Sequence, residues 1–218
     1  MRKGSAISAL GAAALAVLAA VSPAAASAPG PVPGPDPIWI EIVAMNGPGC
    51  LPGTAKAVLS DDVDAFTITY ADFTARAGGA SAPADARKIC ALSLKMNVSL
   101  RFTYAISRTD YRLGADLQRG AKATQKAGRY FHGSSWPYVT TFDLAGPRDG
   151  EFQVTDLVPE DQLVWKPCHV ERNLGITTEL RVDLGTSDPS KVSSISMNAD
   201  GGSRTTYHLA WKLCPERP

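Results

Sequence analysis

From Cys90 to Arg101 the chain alternates without interruption, with Cys90, Leu92, Leu94, Met96, Val98 and Leu100 on one side and Ala91, Ser93, Lys95, Asn97, Ser99 and Arg101 on the other. Only an extended strand sends successive side chains to opposite faces, so one face of this segment belongs to a core and the other to water. The alternation continues through Phe102, Tyr104 and Ile106. The stretch therefore either bends at a bulge near Leu100-Arg101 or breaks there.

The same period of two appears elsewhere. Ile38, Ile40 and Ile42 alternate with Trp39, Glu41 and Val43, and Phe66, Ile68 and Tyr70 alternate with threonines and Ala71. Further strands are expected near 128–132, 139–144, 151–157, 163–165, 174–184, 192–197 and 205–214. Trp211 shares a face with Tyr207, Leu209 and Leu213 and is expected in the core. Residues 114–127 are the one place where a short helix could fit. Turn chemistry separates the runs, as in Gly146-Pro147-Arg148-Asp149-Gly150 and Asp200-Gly201-Gly202. Many short strands at this spacing imply an all-β fold, a two-layer antiparallel β-sandwich that could be jelly-roll-like.

The first 26 residues have the build of an export signal: Arg2 and Lys3, an apolar run to about Val21, then the small residues Ala24, Ala25 and Ala26. Cleavage is expected after Ala26, giving a secreted, extracellular product with no membrane anchor. Residues 27–37, rich in proline and glycine, can form neither helix nor ladder and read as a disordered tether. Residues 38–218 read as a single domain. Removing the signal deletes two of the 22 basic residues and none of the 21 acidic ones, leaving a net charge of −1. Nucleic acid is not implied as a partner at such a balance.

Cys50, Cys90, Cys168 and Cys214 are even in number and far apart in an exported chain, which favours two disulfides. Zinc would want close pairs such as Cys-x-x-Cys, and there are none. Of the three possible pairings, Cys50–Cys90 with Cys168–Cys214 is preferred because each closes a loop within one half of the chain. No metal and no cofactor is expected.

Several stretches carry a family resemblance: Asn46-Gly47-Pro48-Gly49-Cys50, Ala65-Phe66-Thr67-Ile68-Thr69-Tyr70, Arg87-Lys88-Ile89-Cys90, Phe102-Thr103-Tyr104-Ala105-Ile106, Tyr130-Phe131-His132-Gly133, Pro167-Cys168 and Trp211-Lys212-Leu213-Cys214. The chain resembles the secreted proteins catalogued as domain of unknown function 4360. The resemblance implies export, an all-β body and paired cysteines, and it transfers no catalytic residue. Local departures, such as Cys50-Leu51-Pro52 and His169 after Cys168, bear on turn shapes.

Candidate sites follow from chemistry. Eight basic residues against two acidic ones between Lys95 and His132, Arg108 and Arg112 among them, could hold a cell-wall polyanion if they share a face. The plainer reading is that the acidic segment 149–161 neutralises them across the sheet. Trp136 and Tyr138 around Pro137, and Trp39 opposite three isoleucines, could stack on sugars. These features favour a non-catalytic binding or surface-interaction module whose partner is cell-wall or extracellular polysaccharide. The alternative is an extracellular hydrolase of a glycan or ester, using Glu179 or His132; Arg181, between Glu179 and Asp183, is expected to pair with both. Asp61-Asp62-Val63-Asp64 is a candidate calcium turn.

Overall fold

A computed structural model describes residues 32–35, 37–134, 137–198 and 202–216. The expected signal and Trp136 lie outside the described residues. Of the expected tether, Val32 is within them, and its N–H donates to the carbonyl of Trp211 at 3.2 Å.

The strands are β1 (Trp39–Asn46), β2 (Ala55–Leu59), β3 (Ala65–Tyr70), β4 (Thr74–Ala77), β5 (Arg87–Asn97), β6 (Phe102–Leu117), β7 (Lys122–Phe131), β8 (Tyr138–Ala145), β9 (Arg148–Leu157), β10 (Leu174–Asp183), β11 (Ser193–Ser196) and β12 (Arg204–Leu213). They form two sheets. One runs β1-β5-β10-β7-β8; the other runs β2-β3-β12-β6-β11-β4, with β9 also on β6.

The pairing has a simple logic. β7 and β8 make a hairpin, and outward from it β6 pairs with β9 and β5 with β10. β12 lies along residues 102–112 of β6 and β11 along 114–116, both across from the side that β9 occupies. β11 and β12 are therefore two halves of one interrupted strand, and β4 and β3, paired to them in turn, are another. Folding this double ribbon over on itself sends alternate pairs to opposite sheets, which is the jelly-roll topology.

Most inward positions between the sheets are apolar or aromatic. Phe66, Ile68, Leu94, Tyr104, Leu113 and Tyr207 have almost no exposed surface. Burying a leucine such as Leu94 contributes about 1.5–3 kcal/mol. Phe66 stacks on Tyr207 with centroids 4.9 Å apart, and Trp211 is buried with its Nε1 donating to the Val63 carbonyl at 3.0 Å. Both disulfides form in the expected pairing, Cys50–Cys90 and Cys168–Cys214.

Four expectations change. The Cys90–Ile106 run breaks, one of the two outcomes expected, but Leu100 sits in a turn closed by Phe102 N–H to the Ser99 carbonyl at 2.9 Å and is exposed instead of facing the core. Residues 114–127 hold no helix. Leu113, Ala115 and Leu117, then Ala121, Ala123 and Ala127, are buried on a period of two, and burial in the sheet overrides alanine's helical preference. Residues 163–165 are not a strand, because the segment meets the edge of β6 only through isolated bonds, such as Lys166 N–H to the Tyr104 carbonyl, and forms no ladder. Leu213, at the end of β12, is exposed.

Candidate functional site

β6 turns Arg108, Asp110 and Arg112 outward because Thr109, Tyr111 and Leu113 between them are buried. β12 likewise presents Arg204, Thr206 and His208 while burying Thr205, Tyr207 and Leu209. The register sets these residues side by side: Arg204 faces Arg112, Thr206 faces Asp110, and His208 faces Arg108. On the other flank β9 supplies Gln153 opposite Arg112 and Thr155 opposite Asp110. The result is a depression of about 190 Å³ lined by three arginines and a histidine around one carboxylate.

Asp110 organises it. Its carboxylate accepts from Thr155 Oγ1 at 2.6 Å, from Arg108 Nη2 at 2.6 Å and from His208 Nε2 at 2.8 Å. Burial disfavours its charge, but these hydrogen bonds outweigh burial and hold the Asp110 carboxyl below the usual carboxylate range. Arg112 forks onto Glu151 Oε2, at 2.6 and 2.9 Å. Arg204 makes no ion pair among the described residues. Two arginines directly opposed across strands repel, and Glu151 relieves only one of them.

Further along β12, and forming one trough with the depression, lies a cleft of about 610 Å³. Ser107 and Ala210 lie on its floor. Leu163, Trp165 and Glu160 form one wall, and Asp62 and Asp64 with residues 32–34 form the other. The 158–166 segment reaches this place because Val158 N–H donates to the Ser107 carbonyl and Lys166 N–H to that of Tyr104, both at 2.9 Å. Lys212 Nζ sits 4.2 Å from the centroid of the Trp165 ring, a cation–π contact. From Arg204 to Lys212 the trough is about 27 Å long at ~3.4 Å per residue.

The sequence pointed to Arg108 and Arg112 and missed Arg204, His208 and Trp165. Strand parity already put Arg204 with Thr206 and His208; which strand lay beside β12 was not legible. The acidic β9 does pair with the basic β6, as the plainer charge reading expected, and Arg112–Glu151 is the ion pair that results. Tyr138 is not in an exposed loop. It opens β8 and points inward, its hydroxyl donating to Asp156 at 2.8 Å and its ring 4.2 Å below the Arg129 guanidinium. Trp39 is 45% exposed on the outer face of the five-stranded sheet, with Lys95 Nζ 5.8 Å from its ring.

Glu179 is held by Arg87, not Arg181, through bonds of 2.7 and 2.9 Å. His132 Nε2 lies 3.4 Å from Ser93 Oγ, and no carboxylate among the described residues bonds to its ring. Asp61–Asp64 form the β2–β3 turn, where Ser60 Oγ donates to Asp64 Oδ1 at 3.1 Å. Among the described residues no three His, Cys, Asp or Glu side chains are grouped to hold a metal ion. No helix among the described residues is long and apolar enough to cross a membrane.

An uncharacterized secreted protein of Arthroderma benhamiae is 29% identical over 182 residues, covering 84% of this chain and 74% of that one. Among solved structures, a chain of Broad Bean Stain Virus matches with TM-score 0.29 and 7% identity over 77% of this chain and 94% of its own. A family 11 carbohydrate-binding module from Clostridium thermocellum, solved with a β-1,3-1,4-mixed-linked tetrasaccharide, matches with TM-score 0.24 and 6% identity over 83% of this chain and 89% of its own. Likenesses that distant carry no functional argument. The protein is secreted and extracellular, in keeping with its relative and its two disulfides. Its residues 36–214 match the family described as Domain of unknown function (DUF4360), and the chain belongs to that family.

Proposed function

We propose that the protein is a non-catalytic extracellular module that binds a polysaccharide carrying acidic groups along the β12 trough. The observation that carries this reading is the opposed pair Arg204 and Arg112 in a depression that lies on the same strand, β12, as the Trp165-walled cleft. A carboxylate or phosphate between the two guanidiniums relieves their repulsion and accepts bidentate hydrogen bonds. An uncharged sugar ring of the same polymer lies against Trp165. Asp62, Asp64 and Glu160 line the cleft end, so a uniformly and densely charged polymer is disfavoured there.

Export is part of the proposal: residues 1–26 are removed, and N-terminal sequencing of the secreted product should begin at Ser27. The binding test is retention of the mature protein on gellan, whose repeat carries one carboxylate among uncharged sugars, and on the producing cell's own envelope material, with polygalacturonate as the uniformly charged comparison that should be held less well. Arg204→Ala and Arg112→Ala should each weaken retention about tenfold, the scale of one charge-assisted contact. Equal retention of both variants and the wild type would remove the proposal.

A further inference from the structure

The opposite face of the sandwich carries a different kind of surface. Tyr130 points outward from β7, and Gly175 of β10 lies directly opposite it. A methyl group built on Gly175 would lie 2.5, 2.6 and 2.9 Å from three atoms of the Tyr130 ring. Near-equal distances to three ring atoms mean that the ring's face, not its edge, covers the glycine. Tyr130 therefore lies down along the sheet, half-buried, with one face on the backbone. His132, two residues on, is exposed and nearly parallel to it, with centroids 5.5 Å apart and planes 17° apart.

Hydrogen-bonding groups border this platform. His132 Nε2, Ser93 Oγ and Asn173 Nδ2 form a chain with separations of 3.4 and 3.3 Å. On the other side, about 7 Å along β7, a depression of about 210 Å³ is floored by Gly128 and flanked by Thr177, Lys126 and Glu179. Charge on this face cancels locally: Lys95 lies opposite Glu41, Lys126 opposite Glu179, and Lys122 opposite Asp183. Arg87 and Arg181 are opposed at the far end of this face, where Glu179 pairs with Arg87, and around the platform itself neither sign prevails, so the complementary ligand is uncharged.

We propose that the Tyr130 platform and the depression beside it form a second sugar site, which takes the uncharged pyranose units of a neutral polysaccharide. The ring face meets the C–H face of the sugar, and the bordering groups meet its hydroxyls. Trp39 lies on the same face, three strands across and four residues along, about 20 Å from Tyr130. A polymer leaving the platform along that diagonal reaches a second exposed ring. The site stands apart from the acidic-polymer reading, since it uses the other sheet and needs no charge on the ligand.

The probes are insoluble β-1,3-glucan, cellulose and chitin, with sedimentation in 1 M salt to suppress attraction through the arginines of the other face. Wild-type protein should be retained on at least one of the three. Tyr130→Ala should weaken that retention about tenfold, the scale of one aromatic stacking contact, while Tyr130→Phe stays close to wild type. Gly175→Ala should weaken it too, because its methyl group displaces the ring. Arg204→Ala should leave it unchanged, so failure here and failure of the acidic-polymer reading are distinguishable. Circular dichroism and melting curves confirm the fold of each variant; Tyr130 is a surface residue, so its substitution reads binding. No wild-type retention on any of the three polymers, or equal retention of Tyr130→Ala, overturns the proposal.

Discussion

Arg129 and Asp156 are each only 7% exposed at the side chain, and they meet at 3.1 Å between the sheets. Thr109 Oγ1 accepts from Arg129 at 3.0 Å and Tyr138 donates to Asp156, so the pair is well satisfied. Removing one partner strands a buried charge. Asp156→Ala should cost about 3–5 kcal/mol in urea denaturation, and a loss below about 1 kcal/mol would contradict this account. The tyrosine hydroxyls behave differently. Those of Tyr104, Tyr111 and Tyr207 are buried with no hydrogen-bond partner among the described residues, and burial pushes their phenols well above the usual range. Tyr207→Phe removes an unpaired polar atom and should leave stability unchanged or raise it by up to about 1 kcal/mol. A clear destabilisation would show that the hydroxyl is satisfied after all.

The interrupted strands depend on a single asparagine. Where β11 stops and β12 has not begun, Asn198 Oδ1 accepts the Phe73 N–H and its Nδ2 donates to Thr74 Oγ1 at 2.9 Å. The side chain thus bridges the break facing β3 and β4. Asn198→Ala should cost about 1–3 kcal/mol, the penalty for an orphaned buried donor, read as a lower melting temperature. At the other end Lys166, buried and with its amine pulled down by desolvation, donates to the carbonyls of Pro167 and Val170 at 3.1 and 2.9 Å. It fixes the loop that brings Cys168 to Cys214. At sequence separations of 40 and 46, loop-closure entropy gives each disulfide about 4 kcal/mol. The double variant Cys168→Ser with Cys214→Ser should melt well below wild type while keeping its β-sheet circular dichroism.

For the molecule as a whole, a net charge near zero conceals an arginine-rich depression at one end of the trough and carboxylates at the other. The trough has its own pH signature through Asp110. A carboxyl whose folded value lies below its unfolded value stabilises fully above the unfolded value, about pH 4, and loses that contribution as pH falls through the folded one. Melting temperature in the wild type should therefore drop below about pH 4 by more than in Asp110→Asn. Parallel curves for the two proteins would show that Asp110 is not held as described.

Alternation alone fixed the fold class, most strands and their inward residues, because period-two burial is a local property of the chain. The cysteine pairing was legible for a related reason, as each pair closes a loop within its own half. The faint elements escaped: β2 and β4 are short, and the 163–165 segment looks like a strand until the sheet beneath it is seen. The trough was half legible. Arg108 and Arg112 lie on one strand, but Arg204 comes from a strand nearly a hundred residues later, and no local pattern sets the register of such distant segments. Which face Tyr130 would lie across depended in the same way on Gly175 arriving opposite it. Side-chain direction is written along the chain, whereas neighbours across a sheet are chosen only when the ribbon rolls up and its two edges meet.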